Sequence, residues 1–127
     1  MKISHVAVWV KDLENIKNFY IKYFNCKCND KYVNEKKGFE SYFLTFEDNC
    51  RLEIMTRKDI KERNTDDEIY GFAHISISVG SREKADSLTK ELEQDGFKIA
   101  SYPRTTGDGY YESVVLDSEN NRIEITI

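Results

Sequence analysis

Two parts of this chain repeat one another residue for residue. Ile3-Ser4-His5-Val6-Ala7-Val8 aligns with Phe72-Ala73-His74-Ile75-Ser76-Ile77 at a spacing of 69, and Arg51-Leu52-Glu53-Ile54 aligns with Arg122-Ile123-Glu124-Ile125 at a spacing of 71. Each pair sits in the same succession of expected elements: a strand, a helix, then three strands. Self-similarity of this kind constrains a fold more than any local propensity. A module of one helix and a few strands cannot cover both faces of its own sheet, so two of them must combine.

Within the first copy, residues 2–10 alternate as a strand with one dry face. Asp12 is placed as an N-cap, and Leu13, Ile16, Phe19, Tyr20, Tyr23 and Phe24 recur at helical spacing up to Asn25, a left-handed stop. Residues 26–33 are compatible with a strand, 34–38 with a turn, and 39–47 and 51–56 with two more strands. Residues 57–70 are charged, with Ile60 and Ile69 as apolar exceptions, and read as a connector. The second copy opens with a strand at 72–79. Ser81 then caps a helix whose Ala85, Leu88 and Leu92 face the core, and Gly96 ends it. Residues 98–102 form a short strand, 103–109 a loop with the only proline, and 110–116 and 122–127 the last two strands. The expectation is one domain spanning 1–127, with module one at 1–56, the connector at 57–70 and module two at 71–127. Its class is α+β: paired βαβββ modules whose mixed sheet curls around a cavity.

Composition narrows the partners. A formal net charge of −4 argues against a nucleic-acid partner held through phosphates. No apolar run approaches the roughly 18 residues a membrane helix needs, and the first residues lack a basic-then-apolar signal segment. A cytoplasmic enzyme-sized globule is the expectation. Cys26, Cys28 and Cys50 are odd in number and poorly spaced for zinc, so reduced thiols in or near a core are favoured.

The duplication puts the only two histidines, His5 and His74, at matched positions, and does the same for Glu53 and Glu124. Each glutamate is flanked by apolar neighbours on a short strand, so it faces either bulk water or a polar cavity. Taken singly, each of the four has a plainer reading as a hydrogen-bonded surface residue. Taken as a matched set, they offer two nitrogen and two oxygen donors. That mixture suits nickel, cobalt, zinc or manganese better than calcium. Arg51 and Arg122 are matched as well, as surface charges or as partners of an anion.

A duplicated strand–helix–three-strand module with candidate ligands on its first and last strands resembles the vicinal oxygen chelate superfamily. That group includes glyoxalase I, methylmalonyl-CoA epimerase, extradiol dioxygenases, fosfomycin resistance enzymes and metal-free bleomycin resistance proteins. The resemblance covers the chain from Lys2 to Ile127. The set His5, Glu53, His74 and Glu124 is similar to that of bacterial glyoxalase I, and implies one divalent metal (Ni, Co or Zn). It also implies Glu124 as catalytic base, with Glu53 able to serve on the opposite face. The implied reaction converts the hemithioacetal of a thiol and a 2-oxoaldehyde to a 2-hydroxyacyl thioester, in a homodimer.

Trp9 and Arg57 depart from the bacterial glyoxalase I pattern, which has an arginine and an asparagine there to contact glutathione. Both are therefore candidate substrate-binding residues for another ligand; core packing is the plain alternative for Trp9. The loop 105–109 is a candidate lid or a surface turn. Alternative readings are an epimerase, a thiol transferase acting on an antibiotic, or a non-catalytic drug-binding protein.

Overall fold

The computed structural model describes residues 3–61 and 70–127. The chain forms two compact units, Met1–Arg63 and Asn64–Ile127. In the first, β1 (Val6–Trp9) is followed by α1 (Leu13–Phe24), β2 (Lys27–Cys28), β3 (Tyr32–Asn34), a 3-10 turn at Glu35–Lys37, β4 (Phe39–Thr45) and β5 (Arg51–Arg57). In the second, β6 (Ile75–Ser78) is followed by α2 (Arg82–Gln94), β7 (Ile99–Thr105), β8 (Tyr111–Leu116) and β9 (Arg122–Thr126). The α+β class and the paired modules are as expected, with the strands divided into two mixed sheets, one in each unit.

The two sheets share one plan. Strand order is β1-β5-β4-β2 in the first, with β3 also on β4, and β6-β9-β8-β7 in the second. β1 runs parallel to β5 and β6 parallel to β9, while every other pairing is antiparallel. Register is reproduced too: Ala7 lies opposite Glu53, and Ser76 opposite Glu124. The duplication seen in the sequence is therefore a duplication of hydrogen-bonding register.

Both helices start and stop where capping chemistry places them. Asp12 accepts from the Asn15 N–H at 3.0 Å, and Asn25 closes α1 in the left-handed region at φ 51°. Ser81 accepts from the Lys84 N–H at 3.3 Å, and Gly96 follows α2 at φ 89°. Phe97 N then donates to Leu92 O at 2.9 Å, satisfying a terminal carbonyl.

Each helix covers one face of its sheet. Leu13, Ile16, Phe19 and Tyr20 of α1 are buried with Tyr42, Leu44, Leu52 and Ile54 of β4 and β5. Ala85, Thr89 and Leu92 of α2 are buried with Ser113, Val115, Ile123 and Ile125. Each fully buried aliphatic side chain contributes about 1.5–3 kcal/mol. Leu88, expected in this core, is only half-buried, and Thr89 faces the sheet instead. Its hydroxyl donates to Ala85 O at 2.7 Å and lies 2.6 Å from Ser113 Oγ, so the buried polar atoms satisfy one another.

Several expected boundaries shift. The strand at 26–33 is two short strands, β2 and β3, because Asn29 interrupts: its side chain accepts from Phe43 N at 2.7 Å in place of a ladder bond. β1 and β6 begin one residue after His5 and His74 rather than containing them. Their ladders start at Val6–Leu52 and Ile75–Ile123, near the points where β5 and β9 themselves begin. Pro103 lies within β7 rather than in a loop. β7 is outermost in its sheet and its register shifts between Ser101 and Arg104, the setting in which a strand tolerates a residue without an N–H. The turn is confined to Thr106–Tyr110, where Thr106 N donates to Tyr110 O at 2.8 Å. Arg57 ends β5 rather than opening the connector; residues 62–69 of that connector, and Lys2, lie outside the described residues.

Candidate metal centre

Alternation along β5 and β9 decides where the glutamates go. Leu52 and Ile54 turn to α1 at 3% and 0% exposure, so Glu53 takes the opposite face of the sheet. Ile123 and Ile125 are likewise buried at 0%, which places Glu124 on the corresponding face of its own unit. The parallel strand then brings a histidine to each carboxylate. His5 Nε2 lies 3.7 Å from Glu53 Oε2, and His74 Nε2 lies 3.4 Å from Glu124 Oε2. The imidazoles are more open than their partners, 38% against 16% in the first pair and 44% against 17% in the second. Each pair is thus a carboxylate set into the sheet with an accessible nitrogen beside it.

The surroundings of the two pairs differ. In the first, the His5 ring meets the edge of Phe43 with centroids 5.3 Å apart, and the Arg51 guanidinium lies 4.9 Å over the same Phe43 ring. Arg51 Nη2 donates to Ser4 Oγ at 2.9 Å, and that oxygen is 3.3 Å from His5 Nδ1. In the second, Ser76 Oγ donates to Glu124 Oε1 at 2.5 Å, and Val114 occupies the register position that Phe43 holds beside Glu53.

Two donors that share a divalent ion at about 2.1 Å each lie roughly 3.0–3.4 Å apart, depending on coordination geometry. The His74–Glu124 pair falls within that range and the His5–Glu53 pair just beyond it. The donor chemistry therefore fits a divalent transition metal. Within each unit the described residues bring no third His, Cys, Asp or Glu to either pair, and a protein metal site normally takes three or four. Each module brings together two candidate donors.

Trp9 and Arg57 come together in the first unit. The Arg57 guanidinium lies 5.4 Å over the Trp9 ring, and Trp9 meets Phe39 edge-on at 6.1 Å. Trp9 is 40% exposed, so it is not a core residue. Arg57 Nε donates to Asp59 Oδ1 at 2.5 Å, which draws the Asp59 carboxyl below the usual carboxylate range. The cysteines remain free thiols; burial pushes Cys26 up to about 11, while Cys50 is exposed.

Ser4 is not among the sequence candidates, and Arg51, a surface charge or an anion's partner by sequence, is the residue that holds it. At two positions where the duplicated strands differ in polarity, Ser4 against Ala73 and Ala7 against Ser76, the hydroxyl in question braces a candidate site residue.

The architecture is that of a duplicated α+β protein with a histidine–carboxylate pair in each copy. The sequence profile of the Glyoxalase/Bleomycin resistance protein/Dioxygenase superfamily matches residues 2–125, and the chain belongs to that superfamily. It is 28% identical over 96 residues to the uncharacterized protein YwkD of Bacillus subtilis, covering 76% of this chain and 73% of that one. It is also 28% identical to the lactoylglutathione lyase of Schizosaccharomyces pombe, covering 98% of this chain but 46% of the yeast protein, so it spans about half the length of that relative. A glyoxalase family protein from Enterococcus faecalis shares the fold at a TM-score of 0.81 and 20% identity, over 99% of this chain and 97% of that one.

Proposed function

We propose that the chain is a metal-dependent isomerase of the glyoxalase I kind, converting the hemithioacetal of a thiol and a 2-oxoaldehyde to a 2-hydroxyacyl thioester. The observation that carries this reading is the pair of registered histidine–glutamate contacts, His5–Glu53 at 3.7 Å and His74–Glu124 at 3.4 Å. His5, Glu53, His74 and Glu124 act as the ligand set for one divalent metal (Ni, Co or Zn). Each module brings two of these four donors. When bound, such a metal supplies Lewis-acid stabilisation of negative charge developing on substrate oxygen.

The chain's own residues move the proton. The reaction removes hydrogen from the carbon bearing sulfur and returns it to the neighbouring carbonyl carbon; the first hydroxyl becomes the thioester carbonyl, and the former carbonyl becomes the new hydroxyl. Nothing is oxidised or reduced overall, so one carboxylate that takes and returns a proton suffices. Glu124 is assigned that role, with Glu53 able to serve on the opposite face. Trp9 and Phe39, edge to face, offer an apolar corner beside the Arg57 cation, suited to a thiol conjugate that ends in a carboxylate. That arrangement also supports a second reading, non-catalytic binding of a small aromatic anion.

Metal content separates the two. Protein loaded with nickel or zinc is assayed with methylglyoxal and glutathione, then with bacillithiol. Stoichiometric metal and thioester formation are expected; protein that binds neither metal sinks the isomerase and leaves the binding protein.

A further inference from the structure

We infer that Ser4 is a positioning residue for His5: its hydroxyl, held by Arg51, gives the imidazole a hydrogen-bond partner in either tautomer and so prepares Nε2 to receive a metal. The inference rests on the proposed function in its last step only. Ser4 Oγ accepts from Arg51 Nη2 at 2.9 Å and lies 3.3 Å from His5 Nδ1. A hydroxyl has one hydrogen to give and two lone pairs, whereas a guanidinium only donates. Arg51 therefore occupies one lone pair and leaves the hydroxyl hydrogen and the second lone pair for His5.

Two arrangements follow, and in both Ser4 Oγ is the partner of Nδ1. With the ring hydrogen on Nε2, facing the Glu53 carboxylate 3.7 Å away, Nδ1 is an acceptor and takes the Ser4 O–H. When Nε2 gives its lone pair to a cation, the ring hydrogen sits on Nδ1 and is donated to Ser4 Oγ, which still accepts from Arg51. The switch loses no hydrogen bond. Phe43 limits ring motion meanwhile, since it touches the His5 ring on one side and carries the Arg51 guanidinium over its face. A histidine that ligates a metal works best with its other nitrogen held in this way. The second module has no equivalent, because Ala73 stands where Ser4 does; its serine, Ser76, braces Glu124 instead.

The test uses the full chain with 15N-labelled histidine, as wild type, Ser4→Ala and Ser4→Thr, with His74 as internal reference. Ser4 is exposed and precedes β1, so these variants keep the fold. In metal-free wild type, His5 is expected to show a single tautomer with hydrogen on Nε2, moving to Nδ1 when zinc is added. Ser4→Ala is expected to move the His5 Nδ1 shift towards that of a nitrogen accepting no hydrogen bond from the protein, without metal, and to lose about tenfold in zinc affinity. Ser4→Thr, which keeps the hydroxyl, restores both. Unchanged His5 shifts in Ser4→Ala overturn the inference, as does an affinity loss that Ser4→Thr fails to rescue. Wild type that binds no zinc overturns the proposed function together with the preparation of Nε2, while the metal-free spectra still decide whether Ser4 holds Nδ1.

Discussion

The two histidine–glutamate pairs occupy the same register positions yet are braced from opposite ends. In the first module the support falls on the imidazole, through Ser4, Arg51 and Phe43. In the second it falls on the carboxylate, through Ser76. The separation is shorter where the carboxylate is held, 3.4 Å against 3.7 Å. The flanking surface follows the same division: aromatic and cationic beside the first pair, hydroxyl-bearing Ser76 and Ser78 beside the second, with Ser78 at the position of Trp9. The two modules share the histidine–glutamate pair and differ in what supports it, so equivalent positions need not have equivalent roles.

The sharpest way to break this comparison is to exchange the carboxylates. Glu124→Gln is expected to lower turnover by about 10²–10⁴-fold while retaining most of the metal; Glu53→Gln is expected to cost less. Steady-state assays beside metal analysis read both, and turnover retained in Glu124→Gln moves the base to Glu53.

The cores beneath the pairs offer a second contrast. Ile54 and Ile125 are both at 0% exposure and adjoin Glu53 and Glu124. Ile54→Ala and Ile125→Ala are each expected to cost about 2–5 kcal/mol in urea unfolding. If the units unfold together, the two losses appear in one transition; two separate transitions show that each module melts on its own.

Recognition by the first module is tested at Arg57. Arg57→Met is expected to raise KM about tenfold, roughly the worth of one charge-assisted hydrogen bond, for a thiol conjugate ending in a carboxylate. kcat changes little, and a neutral conjugate is unaffected. An equal effect on both conjugates makes the contact one of packing against Trp9.

The smallest effect concerns the ties between helix and sheet. Glu14 accepts from Tyr42 at 2.9 Å and pairs with Lys17 and Lys31, whereas Asp86 accepts from Tyr111 at 2.5 Å. The lysine and tyrosine contacts of Glu14, Lys17 foremost, draw its pKa from 4.5 to about 2. Its folded value thus lies below its unfolded one, so its stabilisation is present above pH 4.5 and is lost as pH falls towards 2. Glu14 is about half exposed, which keeps the contribution modest. Thermal melts between pH 5 and 2 are expected to show a slightly shallower acid decline in Glu14→Gln than in wild type.

Much of this was legible in the sequence because the information was periodic or local. Asp12, Asn25 and Ser81 act through their own backbone neighbours, and the apolar spacing of Leu13, Ile16 and Tyr20 states directly which face is buried. The matched histidines and glutamates were legible because the repeat fixed their register. What escaped depended on contacts distant in sequence. Arg51 reaches Ser4 only because β5 lies beside β1, and no spacing rule announces it. Pro103 looked like a loop residue because propensity does not know which strand will be outermost. Thr89 displaced Leu88 from the core because Ser113 waits across the interface with a matching hydroxyl.

The place of Pro103 has a bearing on how the molecule behaves at high concentration. The outer rim of a sheet is where chains stack into fibrils, provided it offers an uninterrupted row of donors and acceptors. β7 carries a residue without an N–H at a point where the register shifts. An incoming strand would meet a change of phase within seven residues. That side of the second unit is guarded against polymerisation by its backbone, with no demand on the candidate site residues.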